Sequence, residues 1–233
     1  MMWRLYMHKY KRIISILVIG LLVSFSLSGC FGNNELVTNS QSLKDGLSEI
    51  DIDVDSANVI IEQGEEALIT YSFPKNVNVD YSYENGKVTL KGKNGMSLFS
   101  SGSNSEVKIT IPKDKELSVL TSKSDSGNIS INNIKCEQIN CELDSGNLTM
   151  SNNYAKKLIA KVDSGNISID GDIESIEANA DSGNVNLSGN VYIVKAETDS
   201  GDITIDSKKS QSEMRLNLDT DFGKITINGK SIN

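Results

Sequence analysis

From residue 48 onward the apolar residues recur with a period of two. Ile129-Ser130-Ile131, Leu148-Thr149-Met150, Ile167-Ser168-Ile169, Val185-Asn186-Leu187, Ile203-Thr204-Ile205 and Ile225-Thr226-Ile227 each place two apolar side chains on one face, with a polar one between. A second alternating set precedes each of the later ones: Ile139, Cys141, Leu143; Leu158, Ala160, Val162; Ile176, Ala178, Ala180; Val194, Ala196, Thr198; Leu216, Leu218, Thr220. Two strands per repeat, both keeping their apolar side in register, predict one coil of backbone per repeat, with successive coils pairing strand on strand at ~4.8 Å. One coil cannot bury its own interior, but a stack can. No helical periodicity of useful length follows Cys30.

Between the two strands comes a fixed phrase. DSGN begins at Asp125, Asp144, Asp163 and Asp181, DSGD at Asp199 and DFGK at Asp221, at intervals of 19, 19, 18, 18 and 22 residues. A phrase met once per coil marks a corner. Its Asp is expected to accept bonds from the next backbone N–H groups, as in an Asx-turn. Its glycine (Gly127, Gly146, Gly165, Gly183, Gly201 and Gly223) is expected to supply a positive φ, which makes these glycines structural.

Upstream, Ile50, Ile52 and Val54 lead into Asp55-Ser56-Ala57-Asn58, a degenerate first corner, and then to Val59 and Ile61. YSYENGKVTL reads as a hairpin turning at Asn85-Gly86. The Gly/Ser/Asn-rich stretch 92–105 reads as a loop, and Val107, Ile109 and Ile111 resume the pattern. The expectation is an all-β, single-domain β-solenoid over 48–233. Its form would be a right-handed parallel β-helix of 18–19 residues per rung, with a hairpin excursion between the first and second rungs.

The N-terminus has a different character. Arg4, Lys9, Lys11 and Arg12 precede the apolar run Ile13–Leu27, whose 15 residues are short of the ~20 that span a bilayer. The run ends at Leu27-Ser28-Gly29-Cys30, which resembles a bacterial lipobox. Residues 1–29 are therefore expected to be a lipoprotein signal peptide, Cys30 the lipidated first residue of the mature chain, and 30–47 a tether. The protein is expected to be extracytoplasmic, held by palmitate-type lipid on the outer leaflet of the cell membrane in a Gram-positive bacterium. Removing four basic residues from 23 leaves 19 against 31 acidic ones, a net charge of −12. That balance argues against nucleic acid as a partner.

The order IDIDVDSANVIIEQG, YENGKVTLKGK, VKITIPKDKEL and then serial DSGNISI units resembles the bacterial candidate-adhesin family of β-strand-repeat envelope proteins. The resemblance covers nearly all of the mature chain. It implies an envelope protein, often membrane-anchored, and brings no catalytic residues.

Chemistry is sparse. Cys136 and Cys141 either pair, as exported proteins allow, or fill core positions, since they align with Ala155 and Ala160. The only His (His8) and the only Trp (Trp3) leave with the signal, and Arg215 is the one mature arginine. No zinc site, cofactor or catalytic constellation is expected, because every acid of the Asp column already has a turn role. Calcium on that column would relieve like-charge repulsion, but the calcium β-roll motif Gly-Gly-x-Gly-x-Asp is missing. What remains is a flat polar face, with Asn147, Thr149, Asn166 and Ser168 at its middle. It could meet a repeating polymer such as peptidoglycan, teichoic acid or a host glycan, or be only a solvated ladder. Surface binding or adhesion is thus the first functional reading. An accessory role in envelope-stress signalling, through a membrane-protein partner, is the second.

Overall fold

The computed structural model describes residues 35–43, 46–94 and 105–232. The expected Cys30 anchor, the signal peptide and most of the loop expected at 92–105 lie outside them. Strands follow one another almost without pause. They are β1 (Leu36–Ser42), β2 (Glu49–Val54), β3 (Asn58–Gly64), β4 (Leu68–Pro74), β5 (Val77–Glu84), β6 (Lys87–Asn94), β7 (Glu106–Pro112), β8 (Glu116–Ser126) and β9 (Ile129–Asn132). Then come β10 (Lys135–Ser145), β11 (Leu148–Ser164), β12 (Ile167–Ser182), β13 (Val185–Ser200), β14 (Ile203–Ser207), β15 (Arg215–Phe222), β16 (Ile225–Ile227) and β17 (Lys230–Ile232). All 17 belong to one sheet. The β-solenoid is thereby established.

Each rung has a long side and a short side. Along the long sides β6, β2, β8, β10 and the second halves of β11, β12 and β13 pair in parallel, ending at β15. Along the short sides β7, β3, β9 and the first halves of β11, β12 and β13 continue to β14 and β16. The first rung in sequence, β2–β3, is therefore second in space, between β6–β7 and β8–β9. The expected hairpin excursion is the means to this end. β4 runs back antiparallel to β7, β5 turns at Asn85-Gly86 (φ 51° and 80°, as in a type I′ turn), and β6 returns to start the terminal rung.

Part of the stretch expected as a tether, 30–47, is folded onto the coil instead. β1 pairs antiparallel with β4 from Leu36↔Pro74 to Ser42↔Leu68, and Leu43 and Leu47 are buried. The segment escapes period-two reading because β1 is an edge strand whose side chains are only partly covered. Gly92, expected in the loop, lies within β6, where a Cβ would meet the Phe73 ring at 2.9 Å.

The interior is a stack of aliphatic columns. Ile139, Leu158, Ile176 and Val194 lie in register, as do Ile131, Met150, Ile169 and Leu187, all at most 2 % exposed. At the β5 end, Tyr71, Phe73 and Tyr81 plug the coil. Tyr71 and Tyr81 stack with centroids 5.8 Å apart, and burial raises both phenols above their usual pKa. Cys136 and Cys141 are free, buried, and opposite Ala155 and Ala160 as their alignment predicted. Desolvation pushes their thiols up to about 11 and about 12. They are core residues.

Candidate functional site

The DSGN corner explains itself, with one reassignment. Asn, the fourth letter, does the work expected of Asp. Asn58 Oδ1 accepts the N–H of Asn128, Asn128 Oδ1 that of Asn147, Asn147 Oδ1 that of Asn166, and Asn166 Oδ1 that of Asn184, at 2.9–3.0 Å. The series continues through Asp202 to the N–H of Lys224. A carboxamide beside a parallel rung reaches the next rung's N–H, whereas the first-position Asp stands where the ladder skips a residue (Leu143↔Val162, then Ser145↔Ser164) and points to solvent. None of Asp125, Asp144, Asp163, Asp181, Asp199 and Asp221 makes a side-chain hydrogen bond among the described residues.

The glycine also has a second reason to be glycine. A Cβ on Gly146, Gly165, Gly183, Gly201 or Gly223 would lie 1.8–2.0 Å from the carbonyl oxygen of the corner glycine one rung before, and on Gly127 2.1 Å from Ala57 O. Positive φ holds at Gly146, Gly165, Gly183 and Gly201 but not at Gly127 or Gly223. Close approach between rungs, more than φ, is what all six share.

The two outer faces differ in chemistry. The long side is laced by ion pairs: Lys123–Glu142 at 2.6 Å, Lys156–Glu137 at 2.5 Å, and Lys195 with Glu197 at 3.0 Å and Glu177 at 3.9 Å. From β9 onward the short side carries an uncharged column, Ser130, Thr149, Ser168, Asn186, Thr204 and Thr226, in rung-to-rung register; in the two rungs before it the column holds Ile60 and Lys108, and Lys108 pairs with Glu62 at 2.7 Å. From Thr149 to Thr226 its side chains make no hydrogen bond among the described residues. Thr149 and Ser168 thus stand free at the middle, over a shallow depression of about 240 Å³ shared with Asn186, Ser188 and Thr204. Asn147 and Asn166, expected beside them, spend their Oδ1 atoms on the ladder.

A larger groove of about 410 Å³ lies at the opposite corner of the coil, bordering this face at Asp170. It was not legible as a site, but its cause is visible in the spacing. Rungs of 19 residues carry one extra residue there, Asn133 or Asn152, in left-handed conformation (φ 58° and 54°). In the 18-residue rungs the corner shrinks to Gly171 and Gly189, which align with Asn153. A Cβ on Gly171 would meet Asn153 O at 2.4 Å, and one on Gly189 would meet Gly171 O at 2.2 Å. The 22-residue repeat then bulges out again, with Lys208 N–H bonded to Gly189 O at 2.9 Å and the Lys209 ammonium 5.0 Å from the Tyr192 ring centroid. The change of repeat length therefore leaves a recess with a glycine floor between two raised corners. Lys113, Lys135, Lys208, Asp170, Asp172 and the 39 % exposed Tyr154 are among its lining residues.

A family model described as Toastrack DUF4097 matches residues 47–231. None of the curated proteins matches. Among solved structures, a candidate adhesin from Bacteroides fragilis is 14 % identical, covering 82 % of this chain and 96 % of its own (TM-score 0.48). A candidate cell adhesion protein from Clostridium sporogenes is 12 % identical over 82 % and 97 % (TM-score 0.40). A candidate lipid-binding protein from Parabacteroides distasonis is 17 % identical over 84 % and 98 % (TM-score 0.31).

Proposed function

We propose that this chain, which belongs to the Toastrack DUF4097 family, is a non-enzymatic binding module of the cell envelope. It is held outside the membrane by lipid on Cys30 and presents the short side of its coil to a repeating polymer. The observation that carries the reading is the contrast between faces. One face, the long side, carries ion pairs between neighbouring rungs. The other offers unpartnered hydroxyl and amide groups, one per rung at ~4.8 Å spacing, from Thr149 to Thr226. Such an array matches a ligand that repeats along its length, with each weak contact multiplied by the next. The lipid anchor rests on the n-region, the apolar run and Leu27-Ser28-Gly29-Cys30.

The test has two arms. Cys30→Ser should abolish metabolic lipid labelling and release the protein from membranes; unchanged labelling would refute the anchor. Purified cell wall should sediment the protein, and Thr149→Lys with Ser168→Lys should weaken sedimentation while leaving the melting temperature unchanged. Equal sedimentation of the folded variant would refute the face.

A further inference from the structure

The geometry points to a second, more selective subsite: the corner groove holds a short segment of a polyhydroxylated chain that bears anionic groups. This rests on the reading of the protein as a polymer-binding module, and it names the ligand class and a different place for it. The groove is a product of three repeat lengths meeting. Extra left-handed asparagines raise one wall, glycines that cannot accept a side chain lower the floor, and the 22-residue repeat raises the other wall. From Asn133 to Lys208 it crosses four rung steps, about 19 Å at ~4.8 Å each, which is room for an extended oligomer along the stack.

Its lining fits such a chain. Asn133, Asn152 and Asn190 offer paired donors and acceptors for vicinal hydroxyls, and Asp172 offers acceptors. The half-exposed Tyr154 ring supplies an apolar platform for the C–H face of a sugar or polyol. The groove also offers ammonium groups to an anion. On the long side Lys123, Lys156 and Lys195 pair with glutamates while Lys157 and Lys161 do not; at the groove Lys113, Lys135 and Lys208 make no ion pair among the described residues, although Asp114, Asp170 and Asp172 share it. Asp170 already accepts the Ser188 hydroxyl at 2.9 Å. Other lysines of the chain also lack an ion pair, but Lys113, Lys135 and Lys208 converge on one recess, where their ammonium groups can hold a carboxylate or phosphodiester.

The experiment is isothermal titration of the full-length chain in detergent micelles with three probes: a galacturonate tetramer, a glycerol phosphate tetramer and neutral maltotetraose. Binding of either acidic probe, at least about tenfold tighter than the neutral one and weakened as ionic strength rises from about 0.05 to about 0.3 M, is expected. The better acidic probe identifies the anionic group as carboxylate or phosphate. Lys135→Glu with Lys208→Glu, and separately Tyr154→Ala, should each weaken binding about tenfold or more at unchanged melting temperature. Lys208→Arg should retain it, and so should Thr149→Lys with Ser168→Lys. Equal binding of the neutral probe, indifference to the groove substitutions, or no binding at millimolar concentration would overturn the proposal. If sedimentation with cell wall persists while no tetramer binds, the groove falls and the flat face stands; if neither occurs, both fall.

Discussion

Gly165→Ala adds a single methyl at the middle of the stack, and the structure sets its consequence. The new Cβ would lie 1.8 Å from Gly146 O and 2.7 Å from Gly146 C, both main-chain atoms of the neighbouring rung. A flexible side chain could move aside; a backbone carbonyl inside a parallel ladder cannot do so alone. The residue also sits at φ 144°, a region essentially closed to residues with a Cβ and worth ~1–3 kcal/mol of strain. Separating the corners would stretch Gly146 N–H to Ser164 O and Leu148 N–H to Asn166 O (both 3.0 Å), each worth ~0.5–1.5 kcal/mol. The two terms together give a loss of at least ~2–4 kcal/mol, which for a domain of this size is about 4–16 °C in melting temperature.

Thermal unfolding followed by circular dichroism measures this directly, with Ser164→Ala as the control. Ser164 is exposed, and its truncation should stay within ~0.5 kcal/mol. Gly223→Ala makes the comparison sharper. Its Cβ would also meet a corner carbonyl, Gly201 O at 1.9 Å, but among the described residues β15 pairs on one side only, with β13, and can splay. Its loss should be clearly smaller than that of Gly165→Ala. If Gly165→Ala melts within about 2 °C of Ser164→Ala, inter-rung contact is not the reason for the repeated glycine, and the account of the corner fails.

Other parts of the coil give independent tests. Asn166→Ala removes the acceptor for the Asn184 N–H and should cost ~1 kcal/mol by chemical denaturation, whereas Asp163→Ala, one corner position away, should change stability by less than ~0.5 kcal/mol. Ser122 Oγ is buried without a partner among the described residues, so Ser122→Ala should leave the melting temperature unchanged or raise it; a clear fall would show that the hydroxyl has one. Leu158, fully buried between Ile139 and Ile176, should lose ~2–5 kcal/mol on truncation to Ala. Partial burial, with Asp55, Asp144 and Asp53 adding and Lys93 opposing, raises the Asp125 pKa. Its raised folded-state pKa favours the protonated form, so the associated stability is present at low pH and lost as pH rises through that pKa. Asp125→Asn should therefore raise the melting temperature slightly at pH 7 and make no difference near pH 3; a fall at pH 7 would contradict this.

How much was legible follows from which interactions are periodic. The strands, the inward columns and the cysteine–alanine alignment were readable because every rung faces the same interior, so period two and period 18–19 superpose. The corner was located correctly and its chemistry was partly misassigned. Asp and Asn are both good turn residues, and a one-dimensional pattern cannot say which of them stands beside the next rung's N–H. The ladder through Asn58, Asn128, Asn147, Asn166 and Asn184 exists because of stacking, which is a relation between residues 18 to 70 positions apart. The order of the first rungs escaped for the same reason. The β2–β3 rung exposes a parallel edge on each side, and both accept a rung of the same period, so local pattern does not decide which neighbour arrives first.

The irregularities tell more about function than the repeats do. A perfect solenoid has every exposed position copied on every rung, so its surface is uniform along the axis and distinguishes ligands only by their repeat distance. Selectivity needs a place where the copying breaks. This chain breaks it at one corner, by going from 19 to 18 to 22 residues, while the DSGN corner and the long and short sides stay in register. The cost is small, because a corner can absorb an added or deleted residue when Asn takes the left-handed conformation or Gly replaces it. The stack thus keeps its core intact and gains one recess that no other rung duplicates. Inserting one residue after Gly171 and one after Gly189, to restore 19-residue rungs, should fill the groove and leave the fold cooperative. Such a variant should melt within about 4 °C of the parent yet lose the acidic-oligomer titration. A collapse of the melting transition would show instead that the shortened rungs are required for packing, and that the recess is a by-product of the core rather than a feature of the surface.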